Sequence, residues 1–270
     1  MASKKAPNNS TGSKASASRR EALRRAQLEA AARQRRIRTI VIVIAAVVAA
    51  AIVTLVALGA TGVIGGSKSK AGSTTTGAQV VPPNATTDKT GILSTLATNK
   101  QAPLLVTVED FQCPVCKQYE TLYGPIFESL EKQGKLQVEF RMRYFLDQNF
   151  SNDSSVRAAR GSACADTVGK FSQYHDAVYS NQPATEGKGY TEEQLRSTIP
   201  QQAGITGDQL TSYQSCFDQN QTADFSTGVD NKASAAGYNS TPTFVVNGKT
   251  IKFTQQSPTE DYVMSVINAA

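Results

Sequence analysis

Histidine is almost absent from this 270-residue chain, which contains one, and cysteine is scarce, with four residues. A structural zinc site needs four such ligands, commonly in two close pairs. Cys113 and Cys116 form a close pair, but Cys164 and Cys216 stand alone and His175 has no partner at ligand spacing. We therefore expect no metal site.

Most of the chain carries no excess of positive charge. Residues 1–38 hold eleven Lys or Arg residues against two acidic residues, which is +9; because the whole chain carries +6, residues 39–270 carry about −3. The basic pI thus belongs to the tail, so net charge does not predict binding to nucleic acid. Residues 1–20 are also nearly devoid of large apolar residues, which predicts disorder.

Charge of either sign is absent between Arg38 and Lys68. The apolar part of this stretch is long enough to cross the hydrocarbon core of a bilayer as a helix. Four arginines within residues 33–38 favour a cytoplasmic N-terminus. A cleaved signal peptide is the alternative, with small residues at Ala57–Ala60, but its leader and its apolar run would be unusually long.

Together these features predict a membrane protein with one uncleaved transmembrane helix and a domain outside the cell membrane. We divide the chain into a basic cytoplasmic tail (1–38), the transmembrane helix (39–60), a flexible linker (61–87) and a folded domain (88–270). An extracytoplasmic domain lies in a compartment where disulfides form and persist, so disulfide chemistry is favoured as the role of its cysteines more strongly than it would be in the cytoplasm.

The folded domain alternates strand and helix patterns. A strand over 102–111, a helix over 114–133 and a strand over 136–145 precede a helical block over 153–238. Asn247-Gly248 then predicts a hairpin, and a last helix runs to about residue 268. This order predicts an α/β, thioredoxin-like fold with an inserted helical domain. In the first helix, an apolar stripe that begins at Val115 predicts the buried face.

The sequence CPVC, Cys113 to Cys116, is compatible with metal binding, a structural disulfide or thiol exchange. A disulfide that closes so short a loop stabilises little. The third interpretation has a mechanism, since Cys113 falls at the N-cap of a helix whose first residue is Pro114. The helix N-terminus favours a thiolate there, and Cys116 lies one turn further, where it can resolve a mixed disulfide. We predict Cys113 as nucleophile and Cys116 as resolving thiol.

Three segments, DFQCPVCKQYE, STPTFVVNG and GKFSQYHDAVYSNQ, resemble the DsbA-like thiol–disulfide oxidoreductases of bacterial envelopes. The resemblance spans about residues 90–268. It implies a cis proline beside the active-site sulfurs, Pro242, and substrate pairing with the backbone of Thr241. Strongly oxidising members have histidine where this chain has Val115, and valine can neither donate a hydrogen bond to the thiolate nor carry positive charge.

Four further residues have two interpretations each. Cys164 and Cys216 are either free buried thiols or a structural disulfide that closes a 53-residue loop, and we predict the disulfide. Glu109 and Asp110 either tune the active site as proton acceptors for Cys116 or end a strand at the surface. We assign His175 to an ordinary amphipathic helix.

The predicted function is a membrane-anchored, monomeric oxidase that donates disulfides to exported proteins. It would need no cofactor, but it would need a membrane partner that re-oxidises its dithiol. A reductase or isomerase of the same fold is the alternative. A non-catalytic peptide-binding module is a second alternative, although retention of both Cys113 and Cys116 argues against it.

Overall fold

The computed structural model describes residues 77–270. Five strands form one sheet: β1 (Ile92–Leu93), β2 (Leu104–Asp110), β3 (Gln137–Arg143), β4 (Thr243–Val246) and β5 (Lys249–Ile251). The helices are α1 (Pro114–Lys132), α2 (Leu146–Phe150), α3 (Ser154–Thr167), α4 (Phe171–Ser180), α5 (Ile199–Gln202), α6 (Gly207–Asp218), α7 (Ala223–Ala235) and α8 (Glu260–Asn268), with a π-helical turn at Gln194–Thr198. The predicted transmembrane segment lies outside the described residues, and among those that are described no helix is long and apolar enough to cross a membrane.

The sheet has the order β1-β3-β2-β4-β5, with β2 and β3 parallel and the other pairs antiparallel. Six of the seven residues of β2 are buried, which places this strand in the middle of the sheet with both faces covered. The strand–helix–strand unit, the antiparallel hairpin and the final helix make a thioredoxin-like fold, as the element order predicts. At the hairpin turn Asn247 and Gly248 both have positive φ, 50° and 75°.

Helices cover both faces of the sheet. On one face α1 and α8 pack on the central strands, with a core that includes Tyr123, Phe127, Leu130 and Val263. On the other face Ala233 of α7 packs against buried valines of β2 and β4. Each fully buried apolar side chain of this kind contributes about 1.5–3 kcal/mol.

The buried face of α1 matches the predicted stripe in part. Leu130 is buried, and three further apolar residues of the stripe pack partly buried against the same core: Tyr119, Leu122 and Ile126. Val115 is 45% exposed, and the centre of the buried face is formed by the neighbouring residues Cys116, Tyr123 and Phe127. Helical periodicity thus identifies the side of α1 that meets the sheet but not the residues at its centre.

Helices α2 to α7 and the π-helical turn lie between β3 and β4. A disulfide joins Cys164 of α3 to Cys216 of α6, with a Cα–Cα distance of 5.8 Å. Among the described residues Cys113 and Cys116 are both free thiols. Thr191 and Gln194 form a capping box: Thr191 Oγ1 accepts from the backbone N–H of Gln194 at 3.1 Å, and Gln194 Oε1 accepts from the backbone N–H of Thr191 at 2.9 Å.

The end of the predicted linker packs on these helices. The backbone N–H of Gly77 donates to Gln219 O at 2.8 Å, that of Val80 donates to Gln221 O at 2.7 Å, and that of Asn84 donates to Asp166 Oδ2 at 2.8 Å. Residues 77–87 are therefore part of the folded unit rather than of a flexible linker. The polar composition of this stretch predicts flexibility. Composition gives no information about the distant groups with which its backbone forms hydrogen bonds, so the prediction is wrong for residues 77–87.

Candidate active site

Strand β2 and helix α1 place the two free cysteines. Cys113 is the N-cap of α1, with φ −74° and ψ 117°, and Pro114 is the first helical residue. The backbone N–H of Cys113 donates to Asp110 O at 2.9 Å, which closes the turn between strand and helix. Cys113 is 6% exposed and Cys116 is fully buried, so a reagent from solvent meets Cys113 first.

The environment of Cys113 favours its thiolate. A hydrogen bond from the Cys116 thiol is the main reason that the pKa of Cys113 is lowered from 9.0 to about 6. Hydrogen bonding with Thr241 and with the backbone N–H groups of Val115 and Cys116 lowers it further, while burial opposes these effects. At neutral pH this thiol is mostly ionised, which is the state that attacks a disulfide.

Cys116 is held in the opposite state. Burial raises its pKa well above 9.0, and the hydrogen bond to Cys113 and the charge of Glu109 act in the same direction. Two thiols one helical turn apart thus differ strongly in acidity. The arrangement suits an attacking thiolate at Cys113 and a protonated second thiol that needs a base before it can react.

The loop before β4 lies against the first sulfur. The peptide bond Thr241–Pro242 is cis, and Cys113 Sγ lies 3.5 Å from the carbonyl oxygen of Thr241. Both residues of this peptide are half-buried. The structure therefore brings together Cys113, Thr241 and Pro242, which the family resemblance implies as neighbours.

Asp110 is fully buried and connects the active-site loop to the helical insertion. Its carboxylate accepts from the backbone N–H of Gln112 at 2.9 Å, from the backbone N–H of Leu146 at 3.2 Å and from the hydroxyl of Ser155 at 2.5 Å. Burial is the main reason that its pKa is raised to about 7. Asp110 does not end its strand at the surface; it holds two parts of the fold together beside the cysteines.

Two residues of the insertion, Gln182 and Tyr190, complete the loop, and neither is predicted from the sequence. Gln182 donates through its side-chain nitrogen to Phe111 O at 2.8 Å and to Cys113 O at 3.0 Å. Tyr190 donates through its hydroxyl to Phe111 O at 2.8 Å. These bonds satisfy carbonyls of the turn that carries Cys113, and buried carbonyls without partners would destabilise it. Gln182 is the last residue of the segment GKFSQYHDAVYSNQ, which carries part of the family resemblance, and this is the one signal that could have drawn attention to it.

An open groove of about 520 Å³ begins next to the cysteine turn. Pro114 and Lys117 of α1 line one side, and Gln182 and Pro183 line the other. Val115, which follows Pro114 in the first turn of the helix, is exposed. The groove offers room for an extended peptide within reach of Cys113.

Behind Cys116 lies a buried polar cluster. His175 Nε2 is 2.9 Å from Glu109 Oε2, and the hydroxyl of Tyr179 donates to the same oxygen at 3.1 Å. Glu109 is fully buried, so it does not end its strand at the surface, and His175 is 1% exposed. The assignment of His175 to an ordinary amphipathic helix is therefore incomplete, because the imidazole contacts a carboxylate from the active-site strand.

Glu120 joins this cluster from α1. Three residues of the described part of the chain could hold a metal ion: Glu109, Glu120 and His175. Each offers one ligand atom, and these three atoms lie within 4.8 Å of one another. The shortest of these contacts already has hydrogen-bond length, which a shared proton explains without a metal. We derive no chemistry from a metal here.

Comparison with known proteins agrees with this geometry. Residues 95–269 match the thioredoxin family model, and the chain belongs to this family. A comparison with curated proteins found no match.

Solved structures resemble the fold. Reduced DsbG, a disulfide bond oxidoreductase from Mycobacterium tuberculosis, has 24% identity and a TM-score of 0.51, with 65% of this chain and 84% of that chain covered. Reduced DsbA from the same organism has 23% identity and a TM-score of 0.52, with 67% and 91% covered. MdbA, a thiol-disulfide oxidoreductase from Actinomyces oris, has 14% identity and a TM-score of 0.55, with 70% and 92% covered. The resemblance to DsbA-like proteins is thus confirmed, and at these identities it concerns the fold.

Proposed function

We propose that this protein is a thiol–disulfide oxidoreductase that donates disulfides to exported proteins through the pair Cys113 and Cys116. One observation carries the proposal: an acidic, barely exposed thiol with a pKa of about 6 lies at a helix N-terminus, against a fully buried thiol of high pKa. The thioredoxin family match and the DsbA-like fold support it.

The reaction proceeds by two exchanges. In the disulfide form, a substrate thiolate attacks Cys113 Sγ, and Cys116 leaves as a thiolate that takes up a proton. A second substrate thiolate then attacks the substrate sulfur of the mixed disulfide, and Cys113 leaves as a thiolate. The substrate gains one disulfide, and its two electrons pass to the enzyme pair. The low pKa of Cys113 makes it a good leaving group in this second step.

Turnover requires a partner that removes these electrons. Cys113 thiolate attacks a disulfide of the partner and displaces one partner thiolate, which leaves a mixed disulfide. Cys116, once deprotonated, attacks Cys113 Sγ and displaces the second partner thiolate, so that the active-site disulfide forms again and the partner takes up two electrons. The proposed membrane anchor at 39–60 would place the domain beside such a partner in the membrane. A disulfide between Cys164 and Cys216 fits an oxidising compartment, which supports an extracytoplasmic location. We propose a monomer as the working unit.

Substrate recognition is assigned to the loop before β4. The carbonyl oxygen of Thr241 lies next to Cys113 Sγ, so backbone pairing with Thr241 would align a peptide cysteine with the reactive sulfur. Pro242 shapes this loop, and Pro114 and Val115 form the neighbouring edge of α1. The groove beside Pro114 would take the rest of the peptide.

A reductase or isomerase is the second candidate, and Val115 favours it. An exposed valine next to the two thiols gives the Cys113 thiolate neither a hydrogen-bond donor nor a charge. A less stable thiolate means a less oxidising disulfide.

The test uses the full-length protein, purified in detergent and oxidised at the active-site pair. Incubated with a reduced peptide that contains two cysteines, the wild type should yield the peptide disulfide, and Cys113→Ser should not. Cys116→Ser, reduced and then exposed to a disulfide substrate, should accumulate a mixed disulfide through Cys113, because the resolving attack is lost. Oxidised wild-type protein that leaves the peptide thiols reduced would exclude the oxidase.

A further inference from the structure

Cys116 must gain a proton when it leaves and lose one when it attacks, yet it is fully buried. Besides Cys113, the group whose charge acts on it is Glu109, near the end of β2. A carboxylate in this position accepts the proton of Cys116 only in its ionised form and returns it only in its protonated form, and burial without a counter-charge disfavours the ionised form.

Two carboxylates meet behind Cys116. Glu109 Oε1 and Glu120 Oε1 are buried, and neither atom has a hydrogen-bond partner. One oxygen of Glu109 lies within 4.8 Å of one oxygen of Glu120. Two carboxylates this close in a buried site cannot both remain ionised without a cation. The basic group within the cluster is His175, whose Nε2 contacts Glu109 at 2.9 Å.

Both ring nitrogens of His175 face carboxylates. On the side away from Glu109, Nδ1 lies 3.5 Å from Asp176 Oδ1, and the Asp176 side chain is 55% exposed. Burial by itself lowers the pKa of His175, but hydrogen bonds to Asp176 and Glu109 and the charges of Glu109 and Glu120 raise it well above 6.5. The groups that face the imidazole are thus Glu109 from β2, Glu120 from α1, and Asp176 and Tyr179 from its own helix α4.

We propose that His175 is a positioning residue of the redox site: held as an imidazolium between Glu109 and Asp176, it supplies the positive charge that holds Glu109 ready to accept the proton of Cys116. This inference rests on the proposed function. A pocket of about 180 Å³, lined by Glu120 and Asp176 among others, brings solvent to the outer side of the cluster. Glu120 and Asp176 therefore connect the buried cluster to solvent.

A packing role is the competing explanation. The imidazole lies among aromatic rings, with centroid distances of 5.6 Å to Phe111, 4.5 Å to Phe140 and 5.9 Å to Phe171. His175→Phe preserves an aromatic ring there but removes the charge, and His175→Gln preserves a hydrogen-bond donor without charge. The two variants therefore separate packing, hydrogen bonding and charge.

The first measurement needs no variant, because His175 is the single histidine of the chain. Nitrogen-15 labelling of histidine in the full-length protein reports this imidazole alone. Both ring nitrogens should be protonated throughout pH 6 to 8, and their shifts should change when the active-site disulfide forms. A neutral imidazole at pH 7 would overturn the proposal.

The second measurement follows reduced protein with glutathione disulfide by rapid quenching. The attack by Cys113 should stay within about twofold of wild type in both variants, whereas the attack by Cys116 should slow about tenfold or more at pH 7 and recover at high pH. Tyr174→Phe, which changes another buried side chain of α4, should match wild type in both steps. Equal rates in His175→Phe and wild type, or full recovery in His175→Gln, refute the role of the charge. If wild-type protein itself does not react with glutathione disulfide, the proposed function fails instead.

Discussion

Replacing Val115 by histidine should make the active-site disulfide more oxidising. Val115 lies in the first turn of α1 and 45% of it is exposed, so a larger side chain fits there without entering the core. An imidazole in this position adds a hydrogen-bond donor or a positive charge beside the Cys113 thiolate, and both lower the pKa of a thiol.

The size of the effect follows from the pKa of Cys113. At pH 7 the dithiol form is favoured only by the amount by which the pKa of Cys113 lies below 7. For a pKa of about 6 this amount is about one pKa unit. One unit corresponds to about 1.4 kcal/mol, or about 30 mV for a two-electron couple. Because the wild-type thiol is already mostly ionised at pH 7, each further unit in Val115→His should add nearly its full ~30 mV.

The pH dependence has a definite sign. The pKa of Cys113 is lowered by folding, so the stabilisation of the reduced protein is complete above the ordinary value of 9.0 and declines as pH falls towards 6. A lower pKa in Val115→His extends this window downward. The two proteins should differ at pH 7 and converge at pH values below both pKa values.

Equilibration with glutathione buffers, followed by quantification of the dithiol and disulfide forms, measures the potential. Val115→Leu is the matched control, since it adds bulk at the same exposed position without a donor or charge. Equal potentials for Val115→His and Val115→Leu would refute the argument. A wild-type potential near that of thioredoxin, about −270 mV, would favour the reductase.

Three other predictions concern stability and topology. Replacing Cys164 and Cys216 together with alanine should lower the free energy of unfolding in denaturant by about 4 kcal/mol, and unchanged stability would contradict a structural disulfide. Asp110→Ala should lower the free energy of unfolding by about 2–4 kcal/mol, because three donors lose their acceptor. The control Asp218→Ala breaks an exposed ion pair with Arg196 and should lower it by at most about 1 kcal/mol. Equal losses in the two variants would contradict the structural role of Asp110. Protease added outside cells without an outer barrier should remove the domain and spare residues 1–38, whereas a soluble product that begins near residue 60 would indicate signal-peptide cleavage.

The fold was largely predictable because its signals are local. A β-rich run followed by a proline at the first helical position marks the turn from β2 into α1, and Asn247-Gly248 marks the hairpin. Other local signals are misleading. The sequence Ser257-Pro258-Thr259-Glu260 is typical of a helix capped by Ser257, but the last helix begins after Thr259, whose hydroxyl accepts from the backbone N–H of Tyr262. Thr206 precedes α6 and has Gln209 three residues later, as in a capping box, but its side chain makes no capping hydrogen bond.

The active site was predictable only in part, because several of its contacts join distant segments. The spacing CPVC identifies both thiols, and a helix N-terminus explains the acidity of the first. The contact between Glu109 and His175 spans 66 residues, and that between Gln182 and Cys113 spans 69. Neither contact has a periodicity or a turn signal, so a single sequence does not reveal it.

These long-range contacts change how the insertion should be understood. The turn that carries Cys113 is buried, so its carbonyls need partners other than water, and Gln182 and Tyr190 of the insertion supply them. Helix α4 of the insertion covers Glu109 through His175 and Tyr179, and a carboxylate shielded from water acts more strongly on Cys116, whose pKa is raised mainly by its own burial. A thioredoxin-like core without the insertion would expose this carboxylate to water, which would screen its charge. The difference in acidity between the two thiols therefore depends on the insertion as well as on the helix that carries them.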